Sequence, residues 1–226
     1  MTKSPRFLIL ALPRSGSNLL ARLLNCHPDM CCDGEILLHA DHAVAAQRVV
    51  AGVQNCANGG YGFVFRLAHV QRGVQPFSYY FVTEYASKGW QLIYLKRQNL
   101  LRQAVSMMIG MERSKWHFET APTKRRYHID CQTLLNTIRY LQLSNIAYDH
   151  LAATYNPLHL TYETDLLPKP RHQQTANRCF AHLNLPAAPV HSSLVRASTE
   201  RLADSIQNYD EVVASVLAQG YGKHLD

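Results

Sequence analysis

Apolar residues fall into two patterns along this chain. Four short stretches are apolar almost without interruption: FLILAL at 7–12, GFVFRL at 62–67, QLIYL at 91–95 and LHLTY at 158–162. Runs of this kind predict strands buried on both faces, as in a parallel sheet. Between them apolar residues recur every three or four positions. Leu19, Leu20, Leu23 and Leu24 predict a helix that ends at 25–28, and further helices are expected over 41–56, 77–87, 99–111, 130–153, 171–183 and 208–218. Asn58-Gly59-Gly60 reads as a break, 113–128 as a long loop, and 185–197 as a loop carrying Pro186 and Pro189. Strands alternating with helices predict an α/β fold, a three-layer sandwich around a central parallel sheet. No repeat, linker or low-complexity tract divides the 226 residues, so one domain spanning 1–226 is expected. Ligands in such folds sit beyond the carboxyl ends of the strands.

The first strand runs directly into PRSGSN at 13–18. Between a strand and a helix, the backbone N–H groups of Gly16, Ser17, Asn18 and Leu19 point out of a helix N-terminus, a ready site for an anion. Gly16 permits close approach, Ser15 and Ser17 add hydroxyls, and Arg14 adds a fixed cation with several donors. The pattern is not GxxxxGK followed by Ser or Thr, which argues against a metal-dependent nucleotide hydrolase. An ordinary capped strand-to-helix turn is the competing reading. The third strand carries a second basic end, Lys96-Arg97, and Ser106 lies on the helix that follows. Two anion sites at two strand ends imply a ligand with two separated phosphates.

Charge changes the picture only in degree. The formal charge of +7 points to an anionic partner without choosing among phosphate, sulfate, nucleic acid and membrane. Lys124-Arg125-Arg126 is the densest basic cluster, either a solvated loop or an anion contact. No helix-turn-helix, zinc-finger or aromatic-interleaved basic stripe is present, so nucleic acid is not expected as a partner. No segment reaches the roughly 18 apolar residues of a membrane span, and no signal peptide is evident. Cys26, Cys31, Cys32, Cys56, Cys131 and Cys179 then read as free thiols in a reducing cytoplasm. Cys26, His27, Cys31, Cys32, His39 and His42 supply only half of a zinc pattern, so no metal is expected.

Taken in order, these motifs resemble those of the PAPS-dependent sulfotransferases. PRSGSN is similar to their 5′-phosphosulfate loop, and Arg97 through Ser106 to their 3′-phosphate motif. LKRQNLLRQAVS resembles most the bacterial carbohydrate sulfotransferases of the trehalose type. The cytosolic animal enzymes usually separate that Arg and Ser by one residue fewer and carry lysine where this chain has Arg14. LTYETDL at 160–166 resembles the YEDL segment of the superfamily, and LVRASTERLADSIQNYDEV resembles the late segment that closes over the nucleotide.

The resemblance implies a P-loop-like sulfotransferase fold and a PAPS donor. Pro13, Arg14, Ser15, Gly16, Ser17, Asn18 and Leu19 would hold the 5′-phosphate, with Arg14 on the bridging oxygen of the departing group. Arg97 and Ser106 would hold the 3′-phosphate, joined by Arg196. The acceptor would be a hydroxylated small molecule or glycan, with a homodimer open as the assembly. Glu35, in CCDGEIL, occupies the position of the base proposed in the carbohydrate-acting relatives, with Asp33 the runner-up. The competing role for Glu35 is a structural acid paired with Arg14 or Lys96. His27 and His39 are weaker bases, and His39, Trp116 and His117 are candidate acceptor contacts. Two other readings compete: a Mg²⁺-dependent nucleotide phosphotransferase, and a non-catalytic nucleotide- or nucleic-acid-binding protein.

Overall fold

A computed structural model describes residues 4–38, 40, 42–56, 59–67, 76–113, 125–194 and 201–225. They divide into two compact units. One comprises Met1–Lys96 with Ala147–Ser192, the other Arg97–Ile146 with Ser193–Asp226.

The first unit holds a five-stranded parallel sheet in the order β2-β3-β1-β4-β5. The strands are β1 (Arg6–Ala11), β2 (Met30–Asp33), β3 (Gly60–Phe65), β4 (Gln91–Lys96) and β5 (Leu158–Thr161). Between them run α1 (Ser17–Leu24), α2 (His42–Asn55) and α3 (Pro76–Ser87). The long α5 (Cys131–Tyr155) ends in this unit, and α6 (His172–His182) follows β5.

Side chains alternate across the sheet. Phe7, Ile9 and Ala11 of β1, Val64 of β3, and Ile93 and Leu95 of β4 face a layer made by Leu20, Leu23 and Leu24 of α1 with Ala176, Cys179 and Phe180 of α6. On the other face Phe65 stacks on Phe81 of α3 at 4.9 Å, and Tyr94 stacks on Tyr148 of α5 at 6.0 Å. Helices therefore cover both faces, and the three-layer α/β architecture is as expected. Gly62 is a close approach on the first face, where a Cβ would stand 2.4 Å from the Phe7 ring.

Three features depart from the sequence reading. First, β2 was not foreseen. MCCD is short, sits at the sheet edge and buries only alternate residues; its register with β3 (Met30↔Gly60 to Asp33↔Phe63) is a long-range pairing that four residues cannot announce. Second, β3 ends at Phe65, so Arg66 lies past the strand rather than within it. Third, not all cysteines are thiols. Cys31 of β2 forms a disulfide with Cys56, just past α2, because pleat alternation turns Cys31 away from the core that takes Cys32. Cys26, Cys32, Cys131 and Cys179 remain thiols. Burial pushes the Cys179 thiol up to about 12, which marks it as core.

The second unit contains α4 (Leu100–Arg113), the start of α5, and α7 (Tyr209–Ala218). Asn99 caps α4: its Oδ1 accepts from the Arg102 N–H at 2.9 Å, and its Nδ2 donates to the His224 carbonyl at 3.0 Å. Of the basic cluster, Arg126 donates to the carbonyls of Ile206 and Ala203, and Arg125 pairs with Glu112 at 3.5 Å. Those two arginines serve the structure of their own unit, and Lys124 lies outside the described residues. Among the described residues no helix is long and apolar enough to cross a membrane.

Candidate active site

The turn at 13–18 leaves the end of β1, the middle strand of the sheet. Arg14 has φ 64° and Gly16 φ 92°, so two residues of the turn are left-handed. For Arg14 that conformation is uncommon, and a bulky residue holds it only where its surroundings enforce it. Ser15, fully buried, donates from Oγ to the Leu12 carbonyl at 2.7 Å, which ties the turn back to the strand. Gly16 is the N-cap of α1, its carbonyl accepting from the Leu20 N–H at 3.0 Å; it carries no side chain to close the helix end. Ser17 is buried beneath the first helical turn.

What closes on Gly16 is Tyr162. A Cβ on Gly16 would meet the Tyr162 ring at 2.7 and 3.0 Å and Leu166 at 3.2 Å. Tyr162 opens a single π-helical turn (Tyr162–Leu166) after β5. Asp165 pins that turn: its carboxylate accepts from the Thr161 N–H at 2.7 Å and from Arg178 of α6 at 2.7 Å. The YETDL segment thus presses an aromatic ring against the glycine of the 13–18 turn.

The neighbouring strand ends supply charge. Glu35 lies just past β2 and forms a salt bridge with Arg66, the first residue after β3; the two side chains are 19% and 16% exposed. Arg14 belongs to the same cluster. Its guanidinium is held below the usual arginine range, first by burial and then by the like charge of Arg66, with Tyr162 and Glu35 acting in the opposite sense. Two guanidinium groups and one carboxylate therefore stand beside the open end of α1. Gly34 brings the Glu35 segment to the helix, since a Cβ there would stand 3.9 Å from Asn18 Oδ1.

The two competing acids separate. Asp33 accepts from the Tyr61 hydroxyl at 2.8 Å, and burial followed by that bond raises the Tyr61 phenol. Of the two partners suggested for Glu35, Lys96 pairs instead with Asp149, at 2.8 Å to each carboxylate oxygen, while Arg14 lies within the electrostatic reach of Glu35; Glu35 also forms a salt bridge with Arg66. His27 is buried between the Asp29 N–H and the Pro186 carbonyl, a structural histidine.

Arg97 and Ser106 belong to the second unit. Arg97 directly follows β4 and is only 6% exposed, while Ser106 is half-buried on α4. His39, Trp116, His117 and Arg196 lie outside the described residues. Arg66 and Tyr162 had no place among the sequence candidates. Arg66 was hidden by its position inside an apolar run, and a charged residue closing such a run is the signal that marks it.

Residues 5–57, which contain β1, the 13–18 turn, α1, β2, Glu35 and α2, match the profile described as "Sulfotransferase family". No curated protein sequence matches the chain. Among solved structures it is similar to a sulfotransferase from Alicyclobacillus acidocaldarius, with a TM-score of 0.57 and 14% identity, over 98% of this chain and 96% of that one. The fold is that of a sulfotransferase. The segment that holds the 13–18 turn and Glu35 carries the sequence signature of the sulfotransferase family, which supports sulfuryl transfer as the general chemistry, while Arg66 and Tyr162 lie outside it.

Proposed function

We propose that this chain is a PAPS-dependent sulfotransferase acting as one domain on a hydroxylated small molecule or glycan. The observation that carries the reading is the gathering of charge at the strand ends: Arg14 beside the Gly16 N-cap of α1, with the Glu35–Arg66 ion pair next to it. A guanidinium beside a helix N-terminus suits an anion with several oxygens. Gly16 also fits a phosphate, because the N-cap of α1 makes no side-chain hydrogen bond to the helix's first N–H groups.

In this reading the 13–18 turn holds the 5′-phosphosulfate, with Arg14 neutralising charge on the departing oxygen. Arg97 and Ser106 take the 3′-phosphate, and Arg196 joins them. Glu35 accepts the proton of the attacking hydroxyl, while His39, Trp116 and His117 meet the acceptor. Sulfuryl transfer is an in-line displacement, so positioning and charge stabilisation carry most of the acceleration. The similarity of LKRQNLLRQAVS to the trehalose-type enzymes supports a carbohydrate or glycolipid as the acceptor.

The test is calorimetric titration, without Mg²⁺, of 3′-phosphoadenosine 5′-phosphate (PAP) beside adenosine 5′-phosphate. PAP should bind much more tightly, and Arg97→Ala should abolish most of the difference. Equal affinity for the two nucleotides in the unaltered protein, or binding of neither, refutes the reading.

A further inference from the structure

We propose that Arg66 is the positioning residue for Glu35, fixing the carboxylate in the orientation from which it takes the acceptor's proton. The inference rests on the sulfotransferase reading above and adds a residue that no sequence motif assigns.

Glu35 needs such a partner. It lies outside β2, in a tight turn where the Gly34 carbonyl accepts from both Val64 N–H (3.2 Å) and Ile36 N–H (3.1 Å). The backbone there is held, but a glutamate side chain keeps several rotamers, and ordering a long side chain costs about 1.5–2 kcal/mol. The salt bridge to Arg66 removes that freedom. Arg66 is well placed to do so, because β3 lies between β2 and β1 and is paired to both. A planar guanidinium also dictates where a carboxylate sits, which an ammonium does less strictly.

Charge geometry points the same way. Arg14 feels both Arg66 and Glu35, so the pair stands at the phosphate turn rather than elsewhere on the sheet. The rival acid, Asp33, is turned to Tyr61. Reacting groups displaced by about 1 Å lose on the order of 10²-fold in rate. A residue whose work is to hold the base has nothing to contribute once the base is gone, and that is what separates it from a residue acting on the donor itself.

The experiment is a double-mutant cycle on the full chain. Turnover is read as PAP released from PAPS with water as the acceptor, and PAP affinity by calorimetry. Glu35→Gln should lower kcat by about 10²-fold or more, and Arg66→Gln by roughly 10- to 100-fold. The double variant should fall within about threefold of Glu35→Gln alone, the signature of two residues acting as one unit. Arg66→Lys should recover part of the loss, and PAP affinity should stay within about threefold throughout if Arg66 acts through the base alone. Multiplying losses in the double variant, a fully active Arg66→Gln, or a loss explained by weaker PAP binding would overturn the role of Arg66 while leaving the sulfotransferase reading intact. An unaltered protein that neither binds PAP nor consumes PAPS would overturn both.

Discussion

Replacing Gly16 by alanine probes the 13–18 turn most directly, because two independent costs can be worked out from its surroundings. The first is conformational. Gly16 sits at φ 92°, and a side chain in left-handed backbone costs about 1–2 kcal/mol. The second is steric. The new Cβ would stand 2.7 Å from Tyr162 Cδ2 and 3.2 Å from Leu166 Cδ1, and Asp165 pins the turn that carries both residues. Overpacking of this kind costs about 1–3 kcal/mol. Together Gly16→Ala should destabilise the protein by roughly 2–5 kcal/mol, read from urea unfolding midpoints at constant slope. Tyr162→Leu in the same background should return the steric part and leave the conformational part. A loss under about 1 kcal/mol, or a double variant as destabilised as Gly16→Ala alone, would refute the account of Tyr162 closing on Gly16.

Two further predictions concern stability. The Cys31–Cys56 disulfide closes a loop of sequence separation 25 that contains Glu35, and loop-closure entropy assigns such a crosslink about 3.5 kcal/mol. Reductant should lower the melting temperature by roughly 7–14 °C, and Cys56→Ser should reproduce the loss and abolish sensitivity to reductant; identical melting with and without reductant would sink this. His182 is kept below the usual histidine range by burial, while its Nε2 donates to the Leu92 carbonyl at 3.1 Å. The unfolded chain therefore binds the proton more readily, so His182 contributes stability that is present above its unfolded pKa and is lost as pH falls through about 6.5. Urea midpoints should drop between about pH 7 and pH 5, and His182→Gln should flatten that dependence; an unchanged slope in the variant would show that other groups set it.

Legibility in the sequence tracked how local the determining interaction is. The β1 run, the 13–18 turn and α1 are consecutive, so apolar continuity, one glycine and helical spacing were enough to find them. The two acids of CCDGEIL could not be separated from sequence, because what divides them is a partner far along the chain: Asp33 meets Tyr61, and Glu35 meets Arg66. The Cys31–Cys56 bond and β2 escaped for the same reason, since both depend on the register of β2 against β3. YETDL was recognised by likeness, but its physical use, a π-turn that lays Tyr162 on Gly16, requires β5 and β1 to end on the same side of the sheet.

That common side explains why the site tolerates so weak a local signal. Parallel strands all finish at one edge, so the residue following each strand is delivered to the same place whatever its sequence context. Phe65 is paired with Leu10 in the sheet register, which sets Arg66 beside the start of the turn, and Asp33 is paired with Phe63, which sets Glu35 beyond it. A slip of one residue between β2 and β3 would carry Asp33 off Tyr61 and Glu35 off Arg66 together. Backbone register is thus what converts three scattered charges into one cluster, and the disulfide at Cys31, inside the β2–β3 ladder, reinforces that register. On the role proposed for Glu35, rate should therefore fall when the β2–β3 edge is loosened even though Glu35 itself is kept.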